Sequence, residues 1–143
     1  MDNLNLVKVN SHLDLERFYP VMKELRKDLS FPDFLSLYEK AHSNDEYEIV
    51  GFECNGKIVA AMGYRILYDF VHGKHLYIDD LVSTESLRSK GLGAKLLRYA
   101  EQLAKESSCK GLRLCTGIEN AKGKKFYERN GWKLRAVAYK KKL

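Results

Sequence analysis

Residues 88–94 read Arg-Ser-Lys-Gly-Leu-Gly-Ala, between a β-rich run that ends Leu-Tyr-Ile-Asp-Asp-Leu-Val and a helical run that begins Lys-Leu-Leu-Arg-Tyr-Ala. Where a strand turns into a helix, the first backbone N–H groups of the helix have no partner and stand at the positive end of its dipole. Gly91 and Gly93 remove the side chains that would hold a phosphate away from those amides, and Arg88 and Lys90 add charge around it. The spacing Arg-x-x-Gly-x-Gly is neither of the common nucleotide fingerprints. A P-loop needs Lys-Ser/Thr after a longer gap, and a dinucleotide fold needs a third glycine and a downstream acid. By itself the hexapeptide fits an ordinary helix-start turn as well as a phosphate cradle.

Other chemistry-bearing residues read more plainly. His72 and His75 are three apart without an evident third ligand, whereas zinc demands three or four, so no metal is expected. His12 and His42 read as surface or capping residues. Ser83, Ser86 and Ser89 lack the Gly-x-Ser-x-Gly setting of a hydrolase nucleophile. Cys54, Cys109 and Cys115 are odd in number and fit neither a zinc spacing nor a disulfide framework, which suits a reducing compartment.

The elements that must position these residues follow from periodicity. Leu-Asn-Leu-Val-Lys-Val-Asn alternates as a first strand, and Ser11 with Asp14 resembles a capping box. Leu15, Phe18, Met22, Leu25 and Leu29 recur at helical spacing, with Pro20 expected to kink or divide the helix. Phe31-Pro32 marks a fresh helix start. Asn55-Gly56 between two β-rich runs predicts a hairpin, and residues 75–83 predict a third strand of that group. Leu92, Leu96, Ala100 and Leu103 line one face of an amphipathic helix. A short strand at Gly-Leu-Arg-Leu-Cys-Thr-Gly completes a right-handed crossover with parallel neighbours. A short helix from about Ala121 should stop at Gly131, and residues 132–143 read as a closing strand with a basic end, where Lys140, Lys141 and Lys142 could guard a sheet edge. The order β-α-α-β-β-β-α-β-α-β predicts an α/β (α+β) mixed sheet with helices on its faces.

The chain of 143 residues is expected to form one domain, 1–143, large enough for a core without disulfides or metals. No signal-peptide pattern opens it and no stretch stays free of charge long enough to span a membrane, so a cytoplasmic protein without a membrane partner is expected. The formal net charge of +6 favours an anionic partner. The basic residues are scattered and form no aromatic-basic recognition motif, which argues against nucleic acid.

Strand, Arg-x-x-Gly-x-Gly-Ala, amphipathic helix, strand, Asn120, and then Phe-Tyr-Glu-Arg-Asn-Gly-Trp together resemble the GNAT superfamily of N-acetyltransferases over nearly the whole chain, in particular its small bacterial members. The resemblance implies the GNAT fold, a mostly antiparallel sheet with a central splayed parallel strand pair and about four helices. It implies acetyl-CoA as co-substrate and an amine acceptor, and no metal.

Carried over, the resemblance puts Arg88, Ser89, Lys90, Gly91, Leu92, Gly93 and Ala94 around the pyrophosphate, and Leu81, Val82 and Ser83 along the pantetheine arm. Asn120 takes the position of a pantetheine contact, although an Asn there also fits as a helix N-cap. Lys122, Lys124 or Lys125 could meet the 3′-phosphate, or form an ordinary solvated face. Tyr127 matches the tyrosine that protonates the departing thiolate, a role suited to a phenol with a pKa of about 10. Asp79 or Asp80 would bind the amine and relay its proton, yet neighbours on a regular strand point to opposite faces, so only one faces the site unless a bulge intervenes. Where some family members carry a glutamate, this chain has Cys115, and Glu119 is another candidate base. The expected reaction is direct transfer to a primary amine of a small cationic metabolite, polyamine, aminoglycoside or protein, without a covalent acyl-enzyme. A non-catalytic acyl-CoA sensor is the rival reading, and because dimers are common among such proteins a homodimer is left open.

Overall fold

The computed structural model describes residues 3–143. Its elements run β1 (Leu4–Lys8), α1 (His12–Leu25), α2 (Phe31–Asp45), β2 (Glu48–Cys54), β3 (Lys57–Asp69), β4 (Gly73–Ser83), a 3-10 turn (Glu85–Leu87), α3 (Leu92–Glu106), β5 (Gly111–Leu114) and α4 (Ala121–Arg129). The sheet order is β1-β2-β3-β4-β5, antiparallel from β1 to β4 and parallel between β4 and β5. The expected mixed sheet with four helices is therefore what forms. The chain makes two compact units, one up to Arg113 and one from Leu114 to Leu143. Among the described residues no helix is long and apolar enough to cross a membrane.

Local chemistry explains the boundaries. Ser11 Oγ accepts the Asp14 N–H at 3.2 Å, and the Asp14 carboxylate reaches back to accept the Asn10 N–H at 3.0 Å, so α1 starts with reciprocal capping. At α2 Ser30 Oγ accepts the Asp33 N–H at 3.2 Å, with Pro32 in the first turn where its missing N–H costs nothing. Asn55 (φ 51°) and Gly56 (φ 82°) both enter the left-handed region that a tight two-residue hairpin needs.

Two expectations are corrected. Pro20 does not divide its helix: α1 is one helix of 14 residues. Proline removes one backbone bond, but Pro20 and Glu16, whose carbonyl loses it, are both exposed, so that carbonyl is open to solvent while Leu15, Phe18, Val21 and Met22 stay packed. Residues 132–143 form no strand, so their lysines guard no edge. Leu134, Val137 and Tyr139 remain exposed. Alternation shows the form a strand would take, but a strand exists only where another backbone pairs with it and burial repays its ordering.

The core of the first unit lies on both faces of the sheet. Leu15, Phe18, Val21 and Met22 of α1 pack with Ile49, Ala61 and Val82. Val50, Ala60 and Met62 alternate with these and turn to the opposite face, where α3 packs on β3 and β4 through Leu92, Leu96, Leu97 and Ala100. Gly51 sits under Phe18 of α1, and a Cβ there would lie 2.7 Å from Cε2 of Phe18 and closer still to the Ala60 carbonyl. Gly51→Ala should therefore cost about 1–3 kcal/mol, seen in thermal melts as a Tm lower by about 4 °C per kcal/mol.

Candidate active site

A bulge in β4 builds the site. Gly63 pairs with Asp80 and Tyr64 with Ile78, which leaves Asp79 as an extra residue without a partner. The extra residue cancels the alternation that would send the two aspartates to opposite faces. Both line one cavity of about 270 Å³, together with Arg26, Ala41, Asp45, Tyr47 and Arg65.

Each carboxylate has its own guanidinium. Arg65 donates from Nε to Asp79 Oδ2 at 3.0 Å and from Nη2 to Oδ1 at 2.8 Å, a bidentate fork. Arg26 donates from Nε (3.1 Å) and Nη2 (2.8 Å) to Asp80 Oδ1, and from Nη2 to the Asp79 carbonyl at 3.1 Å. The Tyr47 hydroxyl donates to Asp80 Oδ2 at 2.6 Å. Burial pushes the Asp79 carboxyl above its ordinary pKa and outweighs the opposing pull of Arg65. Burial, reinforced by Asp80, holds the Tyr47 phenol well above its ordinary value, so it stays a donor. Gly63 makes the Tyr47–Asp80 bond fit: a Cβ there would collide with the tyrosine oxygen and lie 2.8 Å from Asp80 Oδ2.

The end of α1 also holds the segment after β4. Glu24 accepts the Thr84 hydroxyl at 2.8 Å and the Glu85 N–H at 2.8 Å, while Arg88 Nε donates to the Ser83 carbonyl at 3.3 Å. Leu81 and Ser83 are partly buried and Val82 is packed into the α1 core. In the turn that follows, Ser89 (φ 67°) and Gly91 (φ 82°) adopt positive φ, and Gly91 is the N-cap of α3. No side chain caps that helix start, and a Cβ on Gly91 would meet nothing within 4 Å. The first amides of α3 are thus open to an anion, with Arg88, Ser89, Lys90 and Gly91 exposed, Gly93 and Ala94 partly buried, and Leu92 anchored in the core.

In the second unit Tyr127 is partly buried on α4, its ring edge-on to Phe126 and Trp132 at centroid distances of 5.2 and 6.2 Å. Burial raises its pKa, keeping the hydroxyl protonated. Asn120 is the N-cap of α4: its Oδ1 accepts the Gly123 N–H at 3.0 Å and its Nδ2 donates to Thr116 at 2.9 Å. Cys115 and Glu119 are exposed, as are Lys122 and Lys125, with Lys124 partly buried.

Sequence reasoning missed Arg26, Asp45, Tyr47, Gly63 and Arg65, because only folding brings α1, α2, β2 and β3 to the bulge in β4. It also missed Asp69, which joins His72 and His75 so that three ligand atoms lie within 4.8 Å of one another. There Arg113 Nε donates to His75 Nε2 at 3.0 Å, so a guanidinium already serves that cluster. A larger hollow of about 770 Å³ is lined by Tyr64 and Ile66, which alternate with Arg65 and so face the other side of the sheet, away from Asp79 and Asp80.

Residues 11–132 match the Acetyltransferase (GNAT) family. The chain belongs to that family, and it is an acyltransferase by membership. It is 28% identical over 139 residues to the uncharacterized N-acetyltransferase YhdJ of Bacillus subtilis, covering 96% of this chain and 98% of that one. It is 27% identical over 90 residues to the aminoalkylphosphonate N-acetyltransferase of Salmonella typhimurium, covering 62% of this chain and 58% of that one. The fold is shared with the aminoglycoside N-acetyltransferase AAC(6')-Iy solved in complex with CoA, at a TM-score of 0.84 and 18% identity over 99% of this chain and 96% of the other.

The Tyr47–Asp80 bond gives a test with a sign. Tyr47→Phe leaves Asp80 Oδ2 without its donor, a loss of about 1–3 kcal/mol at pH 7. The folded phenol has the raised pKa, so its contribution is fully present below pH ~10, the unfolded value, and is lost as pH rises beyond it. Urea denaturation at pH 7 and 11 should show the gap between wild type and Tyr47→Phe narrowing at the higher pH.

Proposed function

We propose that the chain is an acetyl-CoA-dependent N-acetyltransferase of the cytoplasm that transfers the acetyl group directly to a primary amine, with both compact units acting as one catalytic domain. The observation that carries this is the bulged Asp79–Asp80 pair on β4, followed along the chain by the uncapped glycine turn into α3. Acetyl-CoA, when bound, supplies the thioester. The open amides at Leu92, Gly93 and Ala94, with Arg88, Ser89, Lys90 and Gly91, would hold its pyrophosphate, and Leu81, Val82 and Ser83 would offer backbone groups to the pantetheine arm. Asn120 keeps its capping bonds in this reading, and a pantetheine contact would have to share its amide.

The two aspartates divide the remaining work. Asp80 already accepts three hydrogen bonds, from Arg26 twice and Tyr47 once. Asp79 accepts two, one on each oxygen, so it keeps a lone pair on each oxygen for the amine. Burial raises the Asp79 pKa, which suits its carboxylate to take up a proton. Asp79 is therefore assigned the amine's proton and Asp80 the orientation of the pocket. Tyr127 gives its proton to the CoA sulfur. The acceptors in the relatives' names differ, an aminoalkylphosphonate in one and an aminoglycoside in another, so they point to no single acceptor for this chain.

Acetyl-CoA titration of the purified protein, followed by thiol release with a panel of amines, tests this. Tyr127→Phe should lower kcat about 10²–10⁴-fold with acetyl-CoA affinity little changed, the usual size of a general-acid contribution. Asp79→Ala should lower kcat/KM by a similar factor. Failure to bind acetyl-CoA would remove the turn's assigned role. Binding without amine-dependent thiol release would favour the non-catalytic sensor, and near-normal kcat/KM in both Asp79→Ala and Asp80→Ala would remove the aspartates from the reaction.

A further inference from the structure

From the charge arrangement of the Asp79–Asp80 cavity we infer that the amine acceptor is a small molecule carrying one anionic group, a carboxylate or a phosphonate, beside its amine, and that polycations are poor ligands. The inference rests on the reading of this cavity as the acceptor site. Two neighbouring aspartates suggest at first sight a cation trap. In the structure that potential is largely spent, because Asp79 and Asp80 each carry a guanidinium at 2.8 Å. Among the titratable groups lining the cavity, Arg26 and Arg65 stand against Asp45, Asp79 and Asp80, while Tyr47 stays neutral. Asp45 is more than half exposed, and its nearest approach to Arg65 is 4.0 Å. The local excess is one partly screened negative charge, enough for one ammonium. A second or third positive charge would meet the guanidiniums and a chain of net charge +6.

The geometry also provides a counter-group. Arg26 is half exposed, with its side chain at 51%, and it uses Nε and Nη2 on Asp80 and on the Asp79 carbonyl. Its Nη1 edge takes no part in those bonds, and Arg26 is the more exposed of the cavity's two guanidiniums. An ammonium on the free lone pairs of Asp79 thus leaves an anionic tail within the same small cavity to meet Arg26. The volume of about 270 Å³ falls just below the range typical of pockets for drug-sized ligands. A compact zwitterion suits that space better than a saccharide with several amines.

Matched probes test this without requiring turnover. Calorimetry in the presence of CoA would compare β-alanine with β-alaninamide, which differ in the anionic charge at nearly constant size, and would add 2-aminoethylphosphonate and spermidine. The expected result is that β-alanine or 2-aminoethylphosphonate binds about tenfold or more tighter than the amide, the increment of a charged hydrogen bond. Spermidine should bind more weakly than the better anionic probe. R26Q should bring the ratio of anionic probe to amide near one. Equal or tighter binding of the amide, tighter binding of spermidine, an unchanged ratio in R26Q, or no binding by any probe would overturn the inference. Thiol release from acetyl-CoA, measured separately, reports on the acetyltransferase reading. Selective binding of the anionic amines with no thiol release would sink that reading and leave the ligand class standing.

Discussion

Two adjacent carboxylates drawn into one partly buried cavity repel each other and lose hydration, and the rest of this site follows from how that cost is offset. In a medium less polar than water the repulsion is no longer negligible, and burial penalises each charged form further. Arg65 answers Asp79 with a fork, and Arg26 with Tyr47 answers Asp80 from two sides. Every helper makes its own demand on the fold. Tyr47 can reach Asp80 only because residue 63 has no side chain. Arg26 can do so because α1 ends there, its backbone N–H closing the helix on the Met22 carbonyl. Arg65 in turn stacks near Tyr77, whose ring also receives Arg113 at 4.7 Å, so its stem is not free to drift.

The parts of this arrangement that are local in sequence were legible in it. The glycine turn, the Asn55-Gly56 hairpin, the Ser11 cap, the helix start at Phe31-Pro32 and the amphipathic α3 each depend on residues within a turn or two of one another, and each forms as read. Asp79 and Asp80 were legible as candidates, but whether both could serve depended on a bulge, which is a property of register between two strands. Nothing in β4 alone announces it. Tyr47 lies 33 positions from Asp80 and Arg26 lies 54, so no spacing rule could pair them. The closing strand was misread for a related reason: the alternation in residues 132–143 is real, but pairing is decided by a partner backbone. Pro20 misled in the other direction, since an exposed carbonyl released from its helix bond can turn to water.

Charge is distributed to a purpose that the total conceals. A net charge of +6 points towards anions, and the uncapped start of α3 with Arg88 and Lys90 is where an anion would settle. Upstream of that turn, at the bulge in β4, the local balance changes sign. β4 ends at Ser83, three positions past Asp80, and the 3-10 turn Glu85–Leu87 stands between that end and the glycine turn, so the two environments sit on different segments of the chain. Each environment can then act on its own charged group without cancelling the other.

That separation has to be kept rigid, and α1 does it. Its last turn supplies Glu24, which ties down Thr84 and the Glu85 amide, and the residue closing it supplies Arg26, which grips Asp80 and the Asp79 carbonyl. One helix end therefore fixes both the bulge and the exit of β4 towards the turn. α1 itself is seated by Phe18, fully buried over Gly51, and by Leu15, Val21 and Met22. A change in that apolar seat would shift Glu24 and Arg26 together, because the helix moves as a body. The chemistry proposed for β4 in this sense depends on the packing of a helix that contributes no reacting group, because one helix end bonds both to the bulge and to the residues leading out of β4.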